Sequence, residues 1–385
     1  MNDLRLEIRH GIPALHALAE DWRTLYRATH AVPFLSWEWA VTWQKWFGTS
    51  KEPYLLCVYA GQELVGLLAL VRESQQRLRR FAFLGSGFGG ADYLDVLTLP
   101  GAETQVAELL REHLMAANNF DLLELDDLAA DSIAATHFGT TQMHGFACPA
   151  TVRYQCPQIQ LQPDWNAVLK RSRRADNFKR RLRQVSARAG FAHHVVTDVA
   201  DAVPAFERFL RLHDARWVNA GGSEMTGHDR LTGFHRELVV RLAEAGLLRF
   251  DELWVEGECR ASIYGLEHGR RYYFYNSGYD QAWRSASVGL VLLGLSIKSA
   301  VERGIEVYDF LRGTEEYKFD WADTTRATVM LRLAPKHPRA ALLLAYERTR
   351  ETLQQGVRDS LPDWVLLPVQ RARRAWKRAQ AFKAA

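Results

Sequence analysis

Three short segments recur along this chain in the same order and at nearly the same interval. VYAGQELVGLLAL, around Gly61, returns as WVEGECRASIYGL around Gly257. FAFLGSG, ending at Gly87, returns as YFYNSG ending at Gly278, and DLLELDDL from Asp121 returns as EVYDFLRG from Glu306. The intervals are 196, 191 and 185 residues. One such pair is ordinary, because amphipathic hairpins resemble one another. Three in sequence point to two copies of one fold. A chain of 385 residues has the length for about two to three domains, so the duplication fits.

The patterning between these landmarks alternates strands and helices, which predicts an α/β or α+β protein. Trp22 to Trp46 reads as helix, loop and helix, broken near Pro33. A hairpin follows, Tyr54–Ala60 and Leu64–Arg72, turning at Gly61-Gln62. Strands are expected at Phe81–Leu84, Tyr93–Thr98 and Asp121–Leu125, with a helix over Ala102–Ala117. The second half opens with a strand at Pro157–Leu161, a basic helix and a strand at Phe191–Val196. Helices at Val203–Asn219 and Arg230–Ala245 come next, then a meander over Phe250–Val255, Cys259–Glu267 and Arg271–Ser277. A helix over Gly289–Arg303 leads into a last short strand, Tyr308–Leu311. The expected division is 1–150, 151–335 and a basic helical tail over 336–385. In that tail Val369, Ala372, Trp376 and Ala379 fall at helical spacing among Arg371, Arg373, Arg374, Lys377, Arg378 and Lys383. Such a helix either docks on the protein with a solvated basic face or rests on a membrane surface.

Composition narrows the partners. A net charge of +4 is small for this size and by itself implies no nucleic acid. The four cysteines (Cys57, Cys148, Cys156, Cys259) are scattered without a CxxC pair, so they read as buried reduced thiols and no metal is expected. Met1–Arg9 is charged, and runs such as Val288–Leu295 are too short to span a bilayer. A cytoplasmic protein is expected, with any membrane contact peripheral to the inner face.

The densest chemistry lies in YDFLRGTEEYKFDW, Tyr308 to Trp321, at the C-terminal end of the last strand. A buried strand has no use for so many ionisable groups there, whereas a substrate crevice does. Arg312 offers a bidentate fork for a carboxylate or phosphate, with Asp309 placed to orient it or to form a structural ion pair with it. Two further clusters stand upstream. Lys170 to Arg183 holds eight basic residues in fourteen, with Asp176 the one acid. It reads as a solvated face, a site for a donor's phosphates, or a surface for a polyanionic acceptor. His213 and Trp217, four apart, share a helix face that lines a cleft or simply packs.

NSGYDQAW (Asn276–Trp283), SVGLVL (Ser287–Leu292) and YDFLRGTEEYKFDW together resemble the GNAT acyltransferase superfamily. More closely they resemble its CelD-like (BioF-like) acetyltransferases, which are related to the tandem Fem-type peptidyltransferases. RSRRADNFKRRLR and HDARW fit the same pattern, and the likeness spans about residues 20 to 333. It implies tandem GNAT-like domains with mixed central sheets flanked by helices, the first a degenerate copy and the second catalytic. It implies acetyl-CoA or another acyl-CoA as donor, held around Asn276, Ser277, Gly278, Arg284, Ser287, Val288 and Gly289. Its turn signature has glycine where this chain has Ser287, which can cap the following helix instead. Backbone amides of Asn276–Tyr279 polarise the acyl carbonyl, Glu315 or Glu316 serves as base, and Tyr279, Tyr308 or Tyr317 protonates the leaving sulfur. Lys318 matches the lysine that Fem-type enzymes set beside the developing oxyanion. Arg174, Asn177 and Arg180 face the site from the basic helix. The acceptor implied is a small molecule or saccharide, an amino sugar or exopolysaccharide precursor. The alternatives are aminoacyl transfer from tRNA to a cell-wall precursor, and a GNAT-fold protein that binds without turnover.

Overall fold

The computed structural model describes residues 4–75, 78–116, 120–139, 146–147, 150–217, 225, 227–313, 315–335, 345 and 349. The basic helix expected beyond residue 369 lies outside them, as does Cys148. The first half runs β1 (Leu4–His10), α1 (Gly11–Ala17), α2 (Ala19–Arg27), α3 (Trp37–Phe47), β2 (Glu52–Ala60), β3 (Glu63–Gln75), β4 (Leu78–Phe83) and β5 (Leu97–Thr98). It closes with α4 (Glu103–Ala116), β6 (Leu122–Ala129), α5 (Ile133–Phe138) and β7 (Phe146–Ala147). The second half runs β8 (Ala150–Gln160), α6 (Trp165–Arg171), α7 (Ala175–Ser186), β9 (Ala192–Val196), α8 (Val199–Trp217), α9 (Asp229–Glu244) and β10 (Leu248–Val255). Then come β11 (Glu258–His268), β12 (Arg271–Tyr279), α10 (Val288–Glu302), β13 (Val307–Asp309), α11 (Glu316–Phe319) and β14 (Thr324–Pro335).

All the strands join one mixed sheet, whose main path is β1-β2-β3-β4-β6-β14-β8-β13-β12-β11-β10-β9. The repeated segments occupy equivalent places in it. Each half has an antiparallel hairpin, β2–β3 or β10–β11, bulged one step past the turn at Val65 or Arg260. Each continues antiparallel into β4 or β12, crosses over through α4 or α10, and returns parallel as β6 or β13. A parallel step needs such a crossover, and the interval between halves is the distance between the two crossovers. The fold is therefore mixed α/β with two GNAT-like repeats flanked by helices.

Three strands, β1, β7 and β14, escaped the sequence reading. β1 pairs with β2, and the twelve-residue β14 inserts between β6 of the first half and β8. TTRATVMLRLAP, with Thr324, Thr325, Thr328 and Val329, carries the β-branched signal for that strand. Conversely, the strand expected over Tyr93–Thr98 shrinks to Leu97–Thr98, because Tyr93 takes a left-handed φ of 59° that breaks an extended run.

Helices cover both faces. Trp37, Trp39 and Trp43 of α3 are buried against the first-half core, and Trp46 donates to Glu237 on α9, so the tryptophans of this helix pack. On the other face α10 is buried along most of its length, as its nearly all-apolar sequence requires. Helix α7 approaches it so closely that a Cβ at Gly294 would stand 2.2 Å from the Phe178 ring. Among the described residues no helix is long and apolar enough to cross a membrane.

Candidate active site

Strand β12 pairs with β11 along its whole length but with β13 only through Arg271–Tyr273. Beyond that point β12 and β13 part, and the register of β12 slips at Tyr275. The notch between them is a cavity of about 310 Å³. Phe274, Leu290, Leu293 and Trp321 give it apolar walls, and Tyr279 and Tyr317 bring the hydroxyls. The ring of His213 donates to the Ser277 carbonyl at 3.0 Å, and the Ser277 amide meets Asn276 Oδ1 at 2.8 Å. Asp280, three positions on, instead donates its amide back to Arg260 at the β11 edge. Strand alternation thus turns the polar groups of Ser277 and Tyr279 toward the notch. Helix α8 sits hard against this strand, since a Cβ at Gly278 would lie 2.3 Å from the His213 backbone nitrogen.

One end of the notch is a helix start without a side-chain cap. Asp280 caps a short 3₁₀ turn over Gln281–Ala286, and the chain then enters α10 through Ser287 at φ 58°, ψ 41°. The sequence led us to expect a serine cap. The Ser287 side chain makes no capping bond, because the left-handed backbone carries its hydroxyl away from the first turn. The first intrahelical donor is Val291, bonded to the Ser287 carbonyl. The amides of Val288, Gly289 and Leu290 therefore point out of the helix start, where the dipole favours negative charge. Gly289 lets this turn approach β12, for a Cβ there would be 3.3 Å from Tyr279 Cδ1. Arg284 and Arg174 also line the cavity, the latter tied to Asp320 at 2.5 Å. Asn177 lines it too, but Arg180 does not and instead donates to Asn177 from the exposed side of α7.

After β13, Tyr317, Asp320 and Trp321 line the notch, whereas Arg312, Glu315, Glu316 and Lys318 do not. Arg312 does not present a fork to solvent, nor does it pair with Asp309. Its Nε stands 2.6 Å from Asp92 and its terminal nitrogen 3.2 Å from Asp127, both carboxylates of the first half. Its backbone amide also donates to Asp92. Asp309 is fully buried and accepts from Gln158, the Leu311 amide and the Tyr93 hydroxyl, and burial pushes its carboxyl up to about 6. Lys318 is not a surface lysine. Only 4% exposed, it donates to the Arg312 carbonyl at 2.9 Å and meets the half-exposed Glu315 at 3.0 Å. Tyr308 is core: it stacks on Tyr272, shares a hydrogen bond with Ser296, and burial pushes its hydroxyl far up. His213 is likewise turned inward, and the Trp217 side chain lies outside the described residues.

In the first half the equivalent notch is filled by its own chain. Leu97–Thr98 pairs with β3 past the end of β4, and the Leu94 amide donates to the Asp127 carbonyl. Asp92, Asp127 and Tyr93 had no local signal of function in the sequence. They are reached only through the fold.

Residues 171–319 match the family model for an acetyltransferase (GNAT) domain. That span covers α7 through α11 and contains the notch. The fold is also that of FemX, with a TM-score of 0.58 at 11% identity over 82% of this chain and 95% of that one. The C-terminal domain of a putative lysylphosphatidylglycerol synthetase from Agrobacterium fabrum superposes at 0.53, with 9% identity over 86% and 95%. A protein of unknown function from Bacteroides thetaiotaomicron gives 0.52, 9%, 85% and 100%. At these identities the likeness is one of fold. No curated protein matched the chain by sequence.

Proposed function

We propose that this GNAT-fold acyltransferase moves an acetyl or other acyl group from acyl-CoA to an amine or hydroxyl acceptor. The second half carries the site, and the first is a degenerate copy that walls the acceptor side. The observation behind this reading is the notch. It joins an apolar channel between parted strands to an uncapped helix start flanked by Arg284, which suits a long thioester with a pyrophosphate at one end. The residues present fit acyl-CoA as co-substrate: Ser287, Val288 and Gly289 for the pyrophosphate, and the notch-side backbone of Ser277–Tyr279 for the acyl carbonyl.

The acceptor nitrogen or oxygen bonds to the acyl carbon, the carbon–sulfur bond breaks, and the thiolate takes a proton from Tyr279 or Tyr317. Glu315 receives the acceptor's proton, and Lys318 faces the developing oxyanion. Among the described residues no cysteine or serine sits in a nucleophile arrangement, which favours direct attack. The CelD-like motifs favour an amino sugar or polysaccharide precursor as acceptor. Titration calorimetry with acetyl-CoA, followed by thiol release against a panel of amines and amino sugars, tests the reading. Binding weakened by Arg284→Ala and Gly289→Val supports it, and no binding at millimolar acetyl-CoA overturns it. Binding with no thiol released on any acceptor would instead mark a ligand-holding protein.

A second reading, aminoacyl transfer from tRNA, is favoured by the exposed basic face of α7 beside the mouth of the notch. Charged tRNA binding with a steep salt dependence selects it.

A further inference from the structure

We infer that Asp92 and Asp127 of the first half are positioning residues for Lys318 of the second, acting through Arg312. The inference deepens the reading above, because it concerns the lysine assigned there to the oxyanion. Arg312 is held at its amide, at its carbonyl and at two of its three guanidinium nitrogens. The first half grips its amide and side chain through Asp92, Asp127 and the carbonyl of Ala91, while its own carbonyl receives Lys318. Tyr154 lies under the guanidinium, 5.2 Å from ring centre to Cζ. The position of the Lys318 ammonium is therefore dictated by carboxylates more than 190 residues away in sequence, in the other repeat.

The backbone around this clamp is unusual on both sides. Leu311, just before Arg312, has φ 55°, while Asp127 has φ 60° and Tyr93, next to Asp92, has φ 59°. Six non-glycine residues adopt positive φ among those described, and three of them converge on this contact. Left-handed backbone costs an L-residue about 1–2 kcal/mol and persists where surroundings over-determine it. The DLLELDDL and EVYDFLRG echoes also align Asp127 with Arg312. Equivalent positions of the two repeats thus touch, as residues near a two-fold axis do, and in this chain they carry opposite charge. Two buried carboxylates around one guanidinium leave a polar environment that a neutral packing residue would not require, while Lys318 adds the second cation.

The test uses the full chain and reads Lys318 directly, without substrate. Reductive methylation by formaldehyde and cyanoborohydride, followed by peptide mass spectrometry, measures how often each lysine meets solvent. In the parent chain Lys318 is protected, and the exposed Lys298 and Lys45 react fast and serve as controls. Asp92→Asn, Asp127→Asn and Arg312→Lys should each raise the Lys318 rate about tenfold or more, leaving the controls unchanged. Arg312→Lys keeps the charge but loses the planar fork. Asp127→Glu, which keeps the charge, should recover part of the protection. Acetyl-CoA affinity should hold, since none of these residues lines the notch, while turnover falls. If Asp92→Asn does not fold, Asp127→Asn and Arg312→Lys carry the test. Lys318 as protected in these variants as in the parent overturns the inference. Labelling that rises while Lys318→Ala keeps full turnover leaves the clamp standing and removes Lys318 from the proposed chemistry.

Discussion

Gly278 is the place where the smallest change should do the most damage. A methyl there would lie 2.3 Å from the His213 nitrogen, 2.7 Å from the Leu212 carbonyl carbon and 2.8 Å from the His213 Cα. All three are backbone atoms of α8, so no side chain can rotate aside. The helix must retreat by about 1 Å to restore ordinary contact. Its buried residues Phe206, Phe209 and Leu212 move with it, and the hydrogen bond from His213 to the Ser277 carbonyl stretches. Overpacking of a rigid contact costs about 1–3 kcal/mol and the hydrogen bond about 1 kcal/mol more, so Gly278→Ala should lose about 3 kcal/mol. Urea unfolding followed by tryptophan fluorescence measures it. Gly257→Ala is the control: its φ is 78° but nothing lies within 4 Å of the added methyl, so only about 1 kcal/mol of backbone strain is expected. Gly278→Ala no worse than this control would refute the argument that α8 is seated on a glycine.

Three other outcomes follow from the geometry. Tyr279→Phe and Tyr317→Phe remove the hydroxyls that reach the notch and should lower turnover about 10- to 100-fold with little change in acetyl-CoA affinity. Tyr308→Phe should cost about 1 kcal/mol of stability and leave turnover alone, so steady-state kinetics on the three separates proton donor from core. Burial holds the Asp309 carboxyl up at about 6 in the fold, above its ordinary value near 4, so the native state binds more protons than the unfolded chain between those pH values. Stability attributable to this group therefore falls as pH rises from about 4 to 6. Asp309→Asn should flatten that slope by up to about 3 kcal/mol in denaturation curves taken at each pH. Cys57, Cys156 and Cys259 are buried with thiols pushed up to about 12. Their peptides should resist iodoacetamide at pH 8 until the chain is unfolded; rapid native labelling of any would contradict the packing.

The sequence made the repeat and the helix start at one end of the notch legible for a shared reason: both depend on local pattern. A hairpin announces itself by alternation around Gly61 or Gly257, and a helix start by the break at Arg284–Gly289. The conformation of Ser287 was not readable, because serine suggests a cap while the chain path demands a left-handed residue. The acceptor side was misread where its partners are distant. Arg312 in YDFLRG looks like a free fork until the fold brings Asp92 and Asp127 to it. Lys318 looks like a surface residue until Arg312 is fixed. Of the three tyrosines left open as proton donor, Tyr308 drops out, since it is fully buried and its hydroxyl turns into the network around Asp251 and Ser296.

Strand β14 ties these distances together. The chain leaves the active-site segment at Trp321, and by Thr324 it has entered a strand that pairs with β8 on one side and with β6 on the other. The sheet is therefore continuous across the boundary between the repeats. Opening the halves like a hinge would require breaking ladders at buried positions such as Thr328 and Met330, where exposed backbone groups have no inexpensive substitute partner. Arg312 and its two carboxylates close the same boundary a few residues earlier in the chain. A site assembled this way gains a fixed distance between the notch and the first-half wall. The loop of the first half from Gly85 to Thr98 grips its neighbour, for it carries the Ala91 carbonyl and the Asp92 carboxylate that hold Arg312. Removing the first repeat should not release an active second one. It would strip β14 of its ladder with β6 and leave Arg312 without either carboxylate.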